Sequence, residues 1–156
     1  MTGDWRRTLG VLLAAGLAVT LAGCGSERLR EERQEREERL NISPGNYRAD
    51  IVAALHAYLS NPGNIRDAWV AEPAITQIGT RKRYAACVRF DARSSDGRYA
   101  GSKDVLAVFA SGRFDQFIEP PAPSEDVSEG SAPALVKRLC DAAEYKRFPE
   151  LEAMKR

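Results

Sequence analysis

Apolar residues recur along this chain in several distinct ways. From Leu9 to Ala22 small and apolar residues run without interruption. From Glu27 to Leu40 they nearly vanish: Leu29 and Leu40 stand alone among Glu, Arg and Gln, so no stripe exists to be buried. After Ser43-Pro44-Gly45-Asn46 the spacing becomes helical. Tyr47, Ile51, Val52, Leu55, Tyr58 and Leu59 fall on one face, with Ser43 or Asn46 as N-cap and Asn61-Pro62-Gly63 as the stop.

From Ala68 the period shortens to two. Trp69 to Ile78 reads as a strand in which Pro73 forces an edge position or a bulge. Arg81-Lys82-Arg83 reads as a charged turn. Tyr84 to Ala92 then sets Tyr84, Ala86, Val88 and Phe90 on one face and Cys87, Arg89 and Asp91 on the other. Ser94-Ser95-Asp96-Gly97 is a hairpin signal, because Asp-Gly tolerates positive φ. Lys103 to Phe109 returns, apolar on both faces as a central strand should be, and Ser111-Gly112 leads into a fourth strand, Arg113 to Ile118.

Pro120 to Pro133 is loop-like. A short helix from Ala134 to Glu144 would turn Leu135, Val136 and Leu139 inward, and the Phe148-Pro149-Glu150-Leu151 segment either packs or frays. The pattern predicts an α+β fold: an N-terminal helix packed on an antiparallel meander of about four strands, with a short C-terminal helix. One such core is what residues 43–156 can support.

The first apolar run is shorter than the ~20 residues a membrane-spanning helix needs. Arg6 and Arg7 precede it, and it ends in Leu21-Ala22-Gly23-Cys24 followed by Gly25-Ser26. Positive region, apolar core and small-residue exit are the anatomy of a secretory signal, and Thr8-Leu9-Gly10 after the arginine pair is a poor match to a twin-arginine signal. The exit resembles the bacterial lipobox: an aliphatic residue, two small residues, then cysteine. The resemblance spans only residues 5–26. It implies diacylglycerol on the Cys24 sulfur, cleavage that removes residues 1–23, and an acylated new N-terminus. Several acyl chains anchor stably where one is marginal, since each buried CH₂ contributes about 0.8 kcal/mol. Gly25, in place of the aspartate that retains many such lipoproteins at the inner membrane, points to the outer membrane.

On that reading residues 24–42 are a charged helical spacer between anchor and domain. Glu32–Arg36 and Glu35–Arg39 are i,i+4 pairs in the favourable orientation. The segment lacks the a and d residues of a coiled coil. The chain carries a formal charge of only +1, so net charge favours neither nucleic acid nor an acidic surface as partner. Cys87 and Cys140 remain as an even pair, which in an oxidising compartment predicts a disulfide.

Chemistry is harder to find. Gly-x-Ser-x-Gly is absent, no Gly-rich phosphate loop follows a strand, and no cofactor is implied. His56 is the lone histidine, at the flank of the first helix's apolar face; a small periplasmic hydrolase would use it with an acid or a serine. Asp91, Asp96 and Asp104 flank one hairpin without the alternating oxygens of a calcium loop, and are expected to be solvated turn acids. A sheet edge, or the region of Arg81, Lys82 and Arg83, is the expected interaction surface. Asn64-Ile65-Arg66-Asp67-Ala68, Tyr84 to Phe90 with its central cysteine, Tyr99-Ala100-Gly101 and Cys140 resemble small alphaproteobacterial envelope lipoproteins, a likeness that implies no activity. The sequence therefore predicts a non-enzymatic, lipid-anchored module on the periplasmic face of the envelope. Its expected partner is another envelope protein or peptidoglycan. An apolar-ligand carrier is the further alternative.

Overall fold

The computed structural model describes residues 26–39, 41–121 and 131–155. The apolar run, the lipobox and Cys24 lie outside them, as does most of the Pro120–Pro133 loop. The chain divides into two compact units that meet between Glu38 and Arg39. Residues 26–39 form a solvated helix, α1, with Gln34 Nε2 donating to Glu38 Oε1 one turn on at 3.3 Å.

The second unit is an α+β domain. Its elements are α2 (Tyr47–Tyr58), β1 (Arg66–Ala71), β2 (Ala74–Ile78), β3 (Arg81–Asp91), β4 (Lys103–Ala110), β5 (Arg113–Ile118), α3 (Ala132–Asp141), β6 (Tyr145–Arg147) and α4 (Pro149–Glu152). All strand pairs are antiparallel. The order across the sheet is β5-β4-β3-β1-β6, with β2 beside the first half of β3.

Among the described residues six strands stand where about four were expected, for two local reasons. Glu72-Pro73 splits the expected Trp69–Ile78 strand into β1 and β2, because proline has no N–H for the ladder. Both halves still pair with β3. The sixth strand, β6, has three residues, too few to show a period, and pairs Tyr145 with Ala71 and Arg147 with Trp69. The charged turn expected at Arg81–Arg83 is a correction of a different kind. The two-residue turn is Gly79-Thr80, Gly79 takes φ +58°, and the basic triplet begins β3. Glycine first with positive φ is the II′ preference.

Both faces of the sheet are covered. On the first face, Ile51 and Leu55 of α2 and Phe148, Leu151 and Met154 around α4 meet Val70, Val88, Phe90, Val105 and Phe109. On the second, Val136 and Cys140 of α3 meet Cys87, Leu106 and Val108. The adjacent apolar residues of β4 are thereby explained, since neighbours in a strand point to opposite faces. Helix α3 starts two residues earlier than its apolar pattern indicated. Ser131 Oγ accepts from Ala134 N at 3.3 Å, and Pro133 sits in the first turn, where its missing N–H costs nothing.

The Phe148–Leu151 segment packs. Phe148 N donates to Ala68 O at 2.9 Å, Ala68 N donates to Glu152 Oε1 at 3.0 Å, and both apolar side chains are fully buried.

Candidate functional site

The edge beyond β1 and β2 is covered over half its length. Strand β6 pairs with β1 from Trp69 to Ala71 and goes no further, so among the described residues the outer side of β2 has no neighbouring strand. Within Ala74-Ile75-Thr76-Gln77-Ile78 alternate residues, Ile75 and Gln77, thus turn backbone N–H and C=O away from β3 without a strand partner among the described residues, and the stretch carries no charge. The opposite edge, β5, differs: it displays Arg113 and Asp115, the kind of residue that discourages edge pairing. Ile75 is 52% exposed, although it lies on a strand.

A groove of about 470 Å³ opens beside this edge on the α3 face. Helix α3 lies over β3, β4 and β5, and small side chains at Ala71, Ala74 and Ala85 leave the hollow between its end and β2. Leu139 and Ala143 form the wall. Glu72, Glu144 and Lys146 form the rim, where Lys146 Nζ pairs with Glu72 Oε1 at 2.8 Å. That hydrogen bond holds the Glu72 carboxyl below its usual range and raises the Lys146 ammonium.

The groove's floor is fixed by two links. Cys87 of β3 and Cys140 of α3 form a disulfide with Cα atoms 5.4 Å apart, closing a span of 53 residues. Beside it, Arg89 meets Asp104 across the β3–β4 pair through two hydrogen bonds of 2.9 Å, and Tyr145 Oη donates to the same carboxylate at 2.8 Å. The guanidinium also covers the Tyr145 ring at 4.4 Å. Burial and then the hydrogen bond to Asp104 push the Tyr145 phenol well up. Tyr145 is therefore a neutral donor that pins the start of β6 next to the open edge.

The basic triplet does not form one surface. Strand alternation sends Lys82 to the face opposite Arg81 and Arg83. Arg81 and Lys82 are exposed, but Arg83 is buried to 7% exposure, with Nη1 donating to the Lys82 carbonyl at 2.7 Å. The contiguity that drew attention in sequence separates in three dimensions.

His56 is exposed on α2 at the margin of a second groove, about 640 Å³, between α2 and α4. The acid in that groove is Glu150, and both its oxygens are held by Arg48 at 2.8 and 2.9 Å. No serine lines the groove among the described residues, and the His56 imidazole makes no hydrogen bond among them. Nothing here orients the imidazole as a general base.

The three aspartates have separate roles, and only Asp96 is a solvated turn acid. Asp91 is buried, receives Arg66 Nε at 2.9 Å and Gly101 N at 3.2 Å, and ties the 92–102 loop to β1. Asp104 serves Arg89 and Tyr145. The half-exposed Tyr58 is engaged as well: it donates to Glu119 at 2.5 Å, and that carboxylate, with burial, pushes the phenol up to about 12. The signal for the β2 edge was present in sequence as Pro73 followed by five uncharged residues. The missing information was where β6 would stop.

No family model, curated protein or solved structure matches the chain.

Proposed function

We propose that this is a lipid-anchored protein of the bacterial cell envelope whose folded domain is a non-enzymatic interaction module, contacting its partner along the β2 edge. The anchor rests on the signal-like N-terminus and its Cys24 motif. The charged α1 segment separates it in sequence from the domain, and Gly25 favours the outer membrane. The observation that carries the interaction reading is the open β2 ladder beside an apolar groove. A backbone edge selects polypeptide, because only another chain supplies donors and acceptors at the same repeat. This favours a protein partner over peptidoglycan.

The test is photocrosslinking in intact cells from a benzophenone amino acid at position 75, with a second probe at Asp115 on the opposite edge. Protein adducts are expected from position 75 and not from 115, and the N-terminal peptide should begin at acylated Cys24. Equal adducts from both positions would overturn the edge assignment. An N-terminal peptide beginning at unmodified Met1 would overturn the anchor.

The groove supports one alternative. Its volume exceeds the ~300 Å³ that a small apolar ligand needs, and a lipid co-purifying with the protein, lost in Ala85→Phe, would favour a carrier.

A further inference from the structure

Taking the interaction reading above as its basis, we infer that the partner on the β2 edge is a second copy of this chain, paired antiparallel about a two-fold axis at Thr76. The open stretch is five residues long, bounded on one side by the Gly79-Thr80 turn and on the other by the Glu72-Pro73 break, beyond which β6 begins. With Thr76 opposite Thr76 of the second copy, Ala74 faces the second Ile78 and Ile75 faces the second Gln77. The incoming strand then runs out at its own turn, where β6 already occupies the edge.

Side-chain chemistry agrees with this register. Opposed residues in an antiparallel pair share a face, and diagonal neighbours on that face touch. The two Ile75 side chains become diagonal neighbours, which covers the one large apolar side chain that a strand leaves exposed among the described residues. On the other face Ile78 of each copy comes beside Ala74 at the mouth of the groove, whose floor Ala74, Thr76 and Ala85 form.

Charge sets the direction. The turn end of the β2–β3 hairpin carries exposed Arg81 and Lys82. The Pro73 end carries Glu72, Glu144 and Lys146, a formal excess of one negative charge. Antiparallel pairing brings the basic end of each copy to the acidic end of the other, twice by symmetry. Parallel pairing would set basic end against basic end. A strand without charges can also face itself across a two-fold axis without repulsion.

The experiment uses the full chain purified in detergent micelles, with Thr76→Cys oxidised by copper phenanthroline. A covalent dimer at twice the monomer mass is expected, whose linked peptides are both 67–81. Adding Ile75→Lys, at an exposed position, should reduce that product about tenfold, because two-fold symmetry counts each cross-strand penalty twice. Asp115→Cys on the β5 edge should give none. Failure of Thr76→Cys to crosslink while circular dichroism shows folded protein would overturn the inference, as would a dimer that Ile75→Lys leaves unchanged. Capture of a different protein through position 75, with no self-crosslink, overturns it while sparing the edge reading. The N-terminal peptide of the same digest reports the anchor independently, so a lost dimer and a lost anchor are told apart.

Discussion

Reducing the Cys87–Cys140 bridge should destabilise the whole domain and do more than free α3. The bridge spans 53 residues, and loop-closure entropy for a span of that size amounts to roughly 4 kcal/mol at 25 °C. Measured values fall commonly at about 2–4 kcal/mol, so the lower part of that range is a fair expectation. Against a total of about 5–15 kcal/mol for a domain, this is a large fraction. Both sulfurs lie in the packed second face, and two buried thiols occupy nearly the same volume, so reduction changes chain connectivity far more than packing. Urea unfolding of oxidised and reduced protein, followed by tryptophan fluorescence, measures the effect. With a slope of about 2 kcal/mol/M the midpoint should fall by about 1–2 M on reduction. Amide exchange should rise across β3 and β4 as well as in α3. If the midpoint holds and faster exchange is confined to residues 132–141, the bridge acts as a local pin and the entropy argument fails.

Asp91→Ala should cost about 1–3 kcal/mol, because Gly101 N loses its acceptor in a part-buried place; Asp91→Asn keeps that acceptor and should cost less by chemical denaturation. Tyr58→Phe should let the Glu119 carboxyl, now held low by the phenol and then by Lys103, rise toward its ordinary value in an NMR titration. A depressed carboxyl stabilises the fold above its unfolded pKa and loses that contribution as pH falls through the folded one, so Tyr58→Phe should flatten the acid limb of stability. Tyr58 itself is raised, so its contribution is complete below pH ~10 and lost on rising through about 12; Glu119→Gln should move that alkaline transition down, as read by tyrosinate absorbance. Gly112→Ala should lower thermal stability by about 1–2 kcal/mol, since φ is +73° and the new Cβ would lie 3.2 Å from Ile42 Cγ2.

Much of the fold is legible in the alternation of polar and apolar residues, and the losses are instructive. Ile51 and Leu55 mark the buried side of α2, and the doubly apolar run in β4 announces a central strand. Pro73 raised the question of an edge or a bulge, but its place at the boundary between β1 and β2 depended on β3 being long enough to pair with both. Strand β6 had no periodic signal, since it is held by partners distant in sequence: the Ala71 backbone, Trp69 under the Arg147 guanidinium at 4.3 Å, and Asp104 on the Tyr145 hydroxyl. How much of the edge stays open depends on that strand, so the extent of the site was out of reach of a local reading although Pro73 signalled an edge. Arg83 illustrates the opposite error. A run of like charges suggests one surface in a linear reading, and strand geometry divides it. Asp91 was expected in solvent because it lies next to a turn; its burial follows from Arg66 arriving from β1, which no local pattern could disclose.

Residues 148–154 also bear on the order of events during synthesis. Phe148, Leu151 and Met154 share a core with Ile51 and Leu55, and the Phe148 amide closes onto Ala68. These segments stand almost a hundred positions apart in the chain, and every other core element precedes the later one. The emerging polypeptide therefore cannot complete its first-face core until this stretch has been made, which leaves the earlier strands unsealed until then. A chain built in this way stays open until residues 148–154 have been made, and commits to its native form only afterwards.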